Sequence, residues 1–285
     1  MKRQFCFWIL CMILSIPLLS NAEENKFILM ASTIGPIDSG IVDALERGFE
    51  KDSGIRVRHV GAGTGAAMDI ARKGNIDVVM VHAKKLEETF VKEGYGTERI
   101  DLMYNDFIIA GPSSDPASIK GMQKAADALK KISEKGAPFL SRGDKSGTHI
   151  AEMSLWEQAG LKPSGAWYSV YEKGSAGNVP TLREADKRAA YTVMDRATFL
   201  TLQKEIKLVV LVEKDEALLN HISLIPVNPK KFRGVNYEGV MAFVAWLTDP
   251  AKGQMLIRDF GKEIYGSPLF FPNSKELKNK QRPHH

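Results

Sequence analysis

Cysteine is absent from residues 23–285 of this 285-residue chain, because both of its cysteines, Cys6 and Cys11, lie in the first 22 residues. The remainder can form no disulfide and offers no thiolate to a metal ion or a substrate. An H-E-x-x-H pattern is also missing, and the histidines are scattered at positions 59, 82, 149, 221, 284 and 285. A zinc site therefore has little support, and we predict no cofactor.

The chain also lacks a large excess of either positive or negative charge. The formal net charge is +5, and without Lys2 and Arg3 the chain has 37 basic residues against 34 acidic ones. These charges are interspersed and form no long basic run, so nothing indicates binding to nucleic acid. The composition, 44% hydrophobic and 26% charged, is typical of a globular protein with room for about two domains.

Familiar catalytic and nucleotide-binding motifs are missing too. The chain has no G-x-S-x-G nucleophile elbow, and its G-x-G-x-G run at residues 61–65 matches neither a dinucleotide fingerprint nor a Walker loop. We therefore predict that the protein is not an enzyme.

The one long apolar run lies at the start of the chain. Lys2 and Arg3 precede an apolar stretch at residues 5–19, and Ser20-Asn21-Ala22 places small residues at a cleavage site. This pattern is typical of a secretory signal peptide, since the stretch is short for the roughly 20 residues of a membrane-spanning helix. We predict a cleavable signal peptide at residues 1–22 and a periplasmic protein that begins at Glu23.

Short apolar segments alternate with longer amphipathic ones over residues 27–262. This alternation predicts an α/β fold with a parallel sheet covered by helices on both faces. Two β-like segments, at residues 104–107 and 221–223, would carry the chain between two lobes. We predict a discontinuous first lobe (23–106 and 222–272), a second lobe (107–221) and a flexible polar tail (273–285).

Three predicted strand-to-helix junctions are rich in glycine, serine and threonine. They read ASTIGPIDSG at residues 31–40, GAGTG at 61–65 and SRGDKSGTH at 141–149. In an open α/β sheet the carboxyl ends of strands meet the amino ends of helices at such places, and ligands bind in the crevice there. Asp38 or Ser39 is expected to cap the helix after the first junction.

Such junctions favour an anion. Free N–H groups point outward from a helix start, and the helix dipole adds about half a positive charge. Hydroxyl groups add neutral donors, and an arginine adds a charged fork of N–H groups. The predicted ligand-binding residues are Ser32, Thr33, Ser39, Gly63, Thr64, Arg142, Ser146, Gly147, Thr148 and Asp195.

Each junction taken alone is more simply explained as a helix cap and a turn, because serine, threonine, aspartate and glycine are the usual residues there. Asp195, at the end of a predicted strand, is either a capping carboxylate or part of the site. Three such junctions in one chain favour a site, and two lobes that each present one would enclose a small anion between them.

The junctions and several other strings resemble those of a known family. The most specific are Val81-His82-Ala83, Tyr104-Asn105-Asp106-Phe107, Ser141-Arg142-Gly143-Asp144, Ser146-Gly147-Thr148-His149 and Asp195-Arg196-Ala197-Thr198. Over residues 30–229 the chain resembles the TupA-type tungstate-binding proteins, which are periplasmic components of ABC importers. The resemblance implies a two-lobed type II periplasmic-binding-protein fold with a ligand cleft between the lobes.

The resemblance also implies a function. A small oxyanion, tungstate or also molybdate, would be captured between the lobes of a monomer and delivered to an ABC transporter permease in the inner membrane. Hydroxyls and amides of the first junction would hold the anion together with Arg142 and Thr148.

Two segments depart from the family pattern. Ser32-Thr33-Ile34-Gly35 stands where the family has Thr-Thr-Thr-Ser, and residues 174–180 replace a Gly-Met-Gly pattern. A carboxylate, phosphate or sulfate therefore stays open as the ligand. A secreted enzyme that uses the same anion pocket and a ligand-sensing adaptor also stay open as functions.

Overall fold

The computed structural model describes residues 27–281, so the predicted signal peptide lies outside the described residues. The strands are β1 (Phe27–Ser32), β2 (Arg56–Gly61), β3 (Val78–Val81), β4 (Ile100–Gly111), β5 (Phe139–Ser141), β6 (Tyr168–Val170), β7 (Thr192–Asp195), β8 (Val209–Val212), β9 (Leu219–Pro226) and β10 (Phe271–Pro272). The helices are α1 (Ile34–Asp38), α2 (Ile41–Ser53), α3 (Thr64–Ala71), α4 (Lys84–Lys92), α5 (Ala125–Glu134), α6 (Gly147–Gln158), α7 (Asn178–Lys187), α8 (Arg196–Leu202), α9 (Tyr237–Thr248), α10 (Gly253–Asp259), α11 (Lys262–Tyr265) and α12 (Lys275–Gln281). Between residues 27 and 281, none of these helices has the length and apolar character needed to cross a bilayer.

The main sheet has the strand order β10-β4-β9-β3-β1-β2, and β7 and β8 pair with the far end of β4. β1 runs parallel to β2 and β3, as the sequence predicts. β9, however, is antiparallel to both β3 and β4, so the prediction of a wholly parallel sheet is wrong. The reason is the path of the chain. β4 runs from the first group of residues to the second, β9 runs back beside it, and two neighbouring strands that run in opposite directions are antiparallel.

The hydrophobic core divides into two groups along β4. The first core draws on residues 28–103 and 222–270, and the second core draws on residues 107–218. β4 and β9 lie side by side where the groups meet, with Tyr104 opposite His221. The predicted lobe boundaries remain a proposal, which this division of the core supports.

Helices of the first core show why the amphipathic segments fold as they do. α2 buries Ile41, Leu45 and Phe49, which are four residues apart and therefore lie on one face. The helix starts later than predicted, because Gly40 takes a left-handed conformation (φ 81°) between α1 and α2. Gly40, and not Asp38 or Ser39, is the N-cap of α2, so the predicted cap position is wrong. The Ser39 hydroxyl donates to the Pro36 carbonyl at 2.8 Å and accepts a long hydrogen bond from the N–H of Ile41, the first residue of α2, at 3.5 Å.

The predicted tail also differs from the structure in residues 273–281. Ser274 is fully buried, its hydroxyl donates to the Thr248 carbonyl, and its N–H donates to Oε1 of the buried Gln254. These bonds hold the start of α12 against α9 and α10, so this part of the chain is an ordered helix. The polar composition of the segment reflects the exposed face of that helix.

Candidate anion-binding site

The carboxyl ends of three parallel strands form one side of the site, which we call the first edge. Ser32, the last residue of β1, lies opposite Gly61 of β2 and Met80 of β3. The first junction, the second junction and His82 therefore follow neighbouring strand ends and emerge at the same edge.

Thr33 is the unusual residue of the first edge. It is 2% exposed, and its backbone N–H donates to the Met80 carbonyl at 3.2 Å. Its hydroxyl oxygen is buried and has no hydrogen-bond partner among the described residues, although Thr33 occupies the N-cap position of α1. A buried hydroxyl without a partner costs free energy, so an oxygen atom of a ligand would stabilise it.

The second junction presents an open helix start. Gly63 is the N-cap of α3 and contributes no side chain, while the first intrahelical bond runs from Ala67 N–H to the Gly63 carbonyl. A methyl group placed on Gly63 or Gly65 would meet no atom within 4 Å. The N–H groups of the first turn of α3 are thus accessible to an anion.

The third junction starts α6, on the side of the second core. Ser146 is its N-cap and accepts a hydrogen bond from the His149 N–H at 3.4 Å. The Ser146 hydroxyl is therefore partly committed to the helix, as the capping interpretation predicts. Gly147 is exposed and the neighbouring Thr148 is 6% exposed.

Arg142 is immobilised by three protein acceptors. Its Nε donates to the Gly174 carbonyl at 3.0 Å, Nη1 donates to Oδ1 of Asn178, and Nη2 lies 2.8 Å from Oδ2 of Asp144. Burial by itself raises the pKa of Asp144, but hydrogen bonds with Ser146 and the nearby guanidinium outweigh it and hold that pKa below its ordinary value. Arg142 is therefore paired with a charged carboxylate.

Asn178 is a site residue that the sequence patterns did not reveal. Besides accepting from Arg142, its amide donates to Oδ2 of Asp195 at 2.6 Å. The apolar pattern predicts a helix only from residue 182, whereas α7 begins at Asn178. Pro180 was the available signal, because proline is favoured in the first turn of a helix.

Asp195 lies at the same edge as Arg142, since β5 is bridged in parallel to the segment before β7 through Phe139 and Tyr191. Its Oδ1 accepts from the Thr198 N–H at 2.8 Å and caps α8. Both carboxylate oxygens are thus engaged with protein donors, which favours the capping interpretation. A carboxylate would also repel an anion that touched it.

The two sides of the site meet at His82. A methyl group placed on Gly147 would lie 3.5 Å from Cε1 of His82, so the start of α6 faces the end of β3. Burial lowers the pKa of His82 below its ordinary value, although the Glu87 carboxylate and a hydrogen bond with Asn220 oppose the fall. A neutral imidazole therefore lies where the end of β3 meets the start of α6 at neutral pH.

Glu152 is a buried carboxyl that bonds to the start of the third junction. Its Oε2 accepts from Ser141, the residue before Arg142, at 2.6 Å. Its Oε1 accepts from Tyr168 at 2.9 Å and from Trp156 at 3.1 Å. Burial raises the pKa of Glu152 to about 7, although these three hydrogen bonds oppose the rise.

Two groups lie apart from this arrangement. Ser39 follows α1, and its hydroxyl bonds to the Pro36 carbonyl and the Ile41 N–H; among the described residues no side-chain hydrogen bond joins it to Thr33 or Arg142. Asp43, Glu46 and His59 have ligand atoms within 4.8 Å of one another, of which Glu46 and His59 form a pair at 3.0 Å. The histidine partner accounts for the buried carboxylate of Glu46, which is 8% exposed.

Comparison with known proteins identifies the family of this chain. A model of the PBP superfamily domain matches residues 20–251. The tungstate-binding protein TupA of Peptoclostridium acidaminophilum is 45% identical over 256 residues, which cover 89% of this chain and 88% of that protein. This chain belongs to the TupA family.

Two further relatives extend the TupA comparison. The solved structure of TupA from Desulfovibrio alaskensis G20 matches with a TM-score of 0.80 and 39% identity, over 87% of this chain and 99% of that one. A putative ABC transporter anion-binding protein of Haloferax volcanii is 44% identical and covers 90% of this chain and 74% of that protein. The predicted resemblance and the predicted periplasmic-binding-protein fold, with two lobes and a cleft, are confirmed.

Proposed function

We propose that this protein is a periplasmic solute-binding protein that captures tungstate between its two lobes and delivers it to the permease of an ABC importer. The observation that carries the proposal is the buried hydroxyl of Thr33, which has no hydrogen-bond partner within residues 27–281 and lies at the strand edge beside an open helix start. The names of the TupA relatives supply the choice of tungstate.

Thr33, the first turn of α3, the first turn of α6 and Arg142 supply the donors. A tetrahedral oxyanion has four oxygens, and neutral hydroxyl and amide donors bind it without the desolvation cost of several charged side chains. Arg142 adds the one fixed positive charge, already oriented by its protein partners. In this proposal, Ser39 and Asp195 do not touch the anion.

The test is titration calorimetry of the purified protein with tungstate, molybdate, sulfate, phosphate and acetate. Tungstate is expected to bind most tightly, and at 1,000 times its Kd it should stabilise the fold by about 4 kcal/mol. Arg142→Ala should lose this stabilisation while the ligand-free protein still unfolds cooperatively. Absence of binding by all five anions would overturn the proposal.

A second candidate is a different small anion. Ile34 and Gly35 are both exposed and carry no hydroxyl, so the first junction offers fewer side-chain donors than a run of threonines and serine would. The same titration separates this candidate, because phosphate, sulfate or acetate would then bind more tightly than tungstate.

Export is part of the proposal. Cleavage after Ala22 would release a chain that begins at Glu23 into the periplasm. Mass spectrometry of the protein recovered from a periplasmic extract should give the mass of residues 23–285, whereas an intact Met1 would overturn this step.

A further inference from the structure

We infer that Asn178 is a positioning residue for anion binding, because its amide joins Arg142 to Asp195 and fixes the orientation of the guanidinium. This inference rests on the proposed function. Asn178 accepts from Nη1 of Arg142 and donates to Oδ2 of Asp195 at 2.6 Å, so both ends of the amide are used by site residues.

The count of donors on Arg142 shows what this arrangement achieves. A guanidinium carries one N–H on Nε and two on each terminal nitrogen. Nε donates to the Gly174 carbonyl and Nη1 donates to Asn178, while Nη2 forms an ion pair with Asp144 at 2.8 Å. Two of the five N–H groups are thus used in these hydrogen bonds, and the others lie on the two terminal nitrogens. A pair of N–H groups on neighbouring nitrogens matches two oxygens of an oxyanion.

The backbone around Gly174 holds the same arginine. A methyl group on Gly174 would lie 1.8 Å from the Arg142 carbonyl oxygen, so glycine is required for this close approach. The Gly174 carbonyl fixes Nε, and Asn178, four residues later at the start of α7, fixes Nη1. Without the amide, the terminal nitrogens could rotate away or form a closer pair with Asp144.

Asp195 acts through this link. Its Oδ1 is held by the Thr198 N–H at the start of α8, so its position is set by that helix. Oδ2 then orients the Asn178 amide, which presents its oxygen to Arg142. The Asp195 carboxylate therefore supports anion binding without touching the anion.

A double-mutant cycle tests the inference. Tungstate Kd is measured by titration calorimetry for the unmodified protein, Asn178→Ala, Arg142→Lys and the double variant. Asn178→Ala should raise Kd about tenfold in the Arg142 protein and less than about twofold in the Arg142→Lys protein, whose ammonium has no fork to orient. Asn228→Ala is the matched control, because its amide bonds to the Gly94 carbonyl beyond the far end of β9 and should leave Kd unchanged.

Each outcome decides the inference. An equal loss in both backgrounds would mean that Asn178 contacts the anion itself, and an unchanged Kd would mean that it has no part in binding; either overturns the positioning role alone. Failure of the unmodified protein to bind tungstate would overturn the proposed function as well. If Asn178→Ala does not fold, Asn178→Ser, which keeps a polar group but cannot span both partners, gives the same comparison.

Discussion

Gly147 lies against His82, at a distance where a methyl group on the glycine would be 3.5 Å from Cε1 of the imidazole. This relationship places the first turn of α6, from one side of the molecule, against the end of β3 on the other. We propose that the anion binds beside this contact, at the start of α6.

A large side chain at Gly147 should therefore block binding. Gly147→Ala makes an ordinary contact and should change the tungstate Kd by less than about threefold. The ring of Gly147→Phe has no room between Gly147 and His82 and must enter the space beside them, so it should raise Kd by about 100-fold or more. Titration calorimetry measures both. Gly234→Phe is the control, since Gly234 is also exposed and a methyl group placed on it would meet no atom within 4 Å; unimpaired binding by Gly147→Phe would contradict the proposed location.

Removing the hydroxyl of Thr33 should weaken binding without weakening the fold. Thr33→Val keeps the shape but deletes a buried group that has no hydrogen-bond partner among the described residues, so the free energy of unfolding of the ligand-free protein should stay the same or rise. A hydrogen bond to a charged ligand contributes about 2 kcal/mol, so Kd should rise about thirtyfold. Urea unfolding and titration calorimetry provide the two measurements.

Thr97 offers a matched control for Thr33. Its hydroxyl is also buried without a partner in the described part of the chain, but its N–H bonds to Pro226, at the opposite end of β3 from the site. Thr97→Val should leave the tungstate Kd unchanged. Equal effects of the two substitutions on Kd would show that the Thr33 hydroxyl does not contact the anion.

Glu152 should make the stability of the protein depend on pH. Its pKa in the folded state is about 7, above the ordinary value of 4.5, so the folded protein favours the neutral carboxyl. The stabilising contribution is complete below about pH 4.5 and is lost as pH rises through 7, for a total decrease of about 3 kcal/mol in the free energy of unfolding.

Glu152→Gln should remove most of this pH dependence. The glutamine amide can donate to Ser141 and accept from Tyr168 and Trp156, as the neutral carboxyl does. Urea unfolding between pH 4.5 and 8 measures the slope, with the exposed Glu157→Gln on the same helix as control. A slope in Glu152→Gln equal to that of the unmodified protein would assign the pH dependence to another group.

Ser39→Ala should leave anion binding unaffected. The Ser39 hydroxyl donates to the Pro36 carbonyl at 2.8 Å, so its loss should cost no more than about 1 kcal/mol of stability. The sequence alone predicts Ser39 as a ligand residue, so a rise in the tungstate Kd of Ser39→Ala would restore that prediction.

Much of the fold follows from local patterns. Apolar residues four apart predict α2, and a run of buried valines and methionine predicts β3, because side-chain spacing and propensity act over a few residues. The antiparallel β9 could not be predicted in this way, since its direction depends on which strand it joins after more than 100 intervening residues.

The sequence by itself determined where the three polar junctions occur and which family the chain belongs to, because strand ends, helix starts and family motifs are short, local patterns. Only the tertiary structure decided how those junctions are used. Arg142 is oriented by Asn178, 36 residues away, and Gly147 faces His82 from a different part of the chain. Ser39, only six residues from Thr33, is bonded away from the site. The physical reason is that a hydrogen-bond partner is chosen by distance in space, and packing of the strands and helices sets that distance.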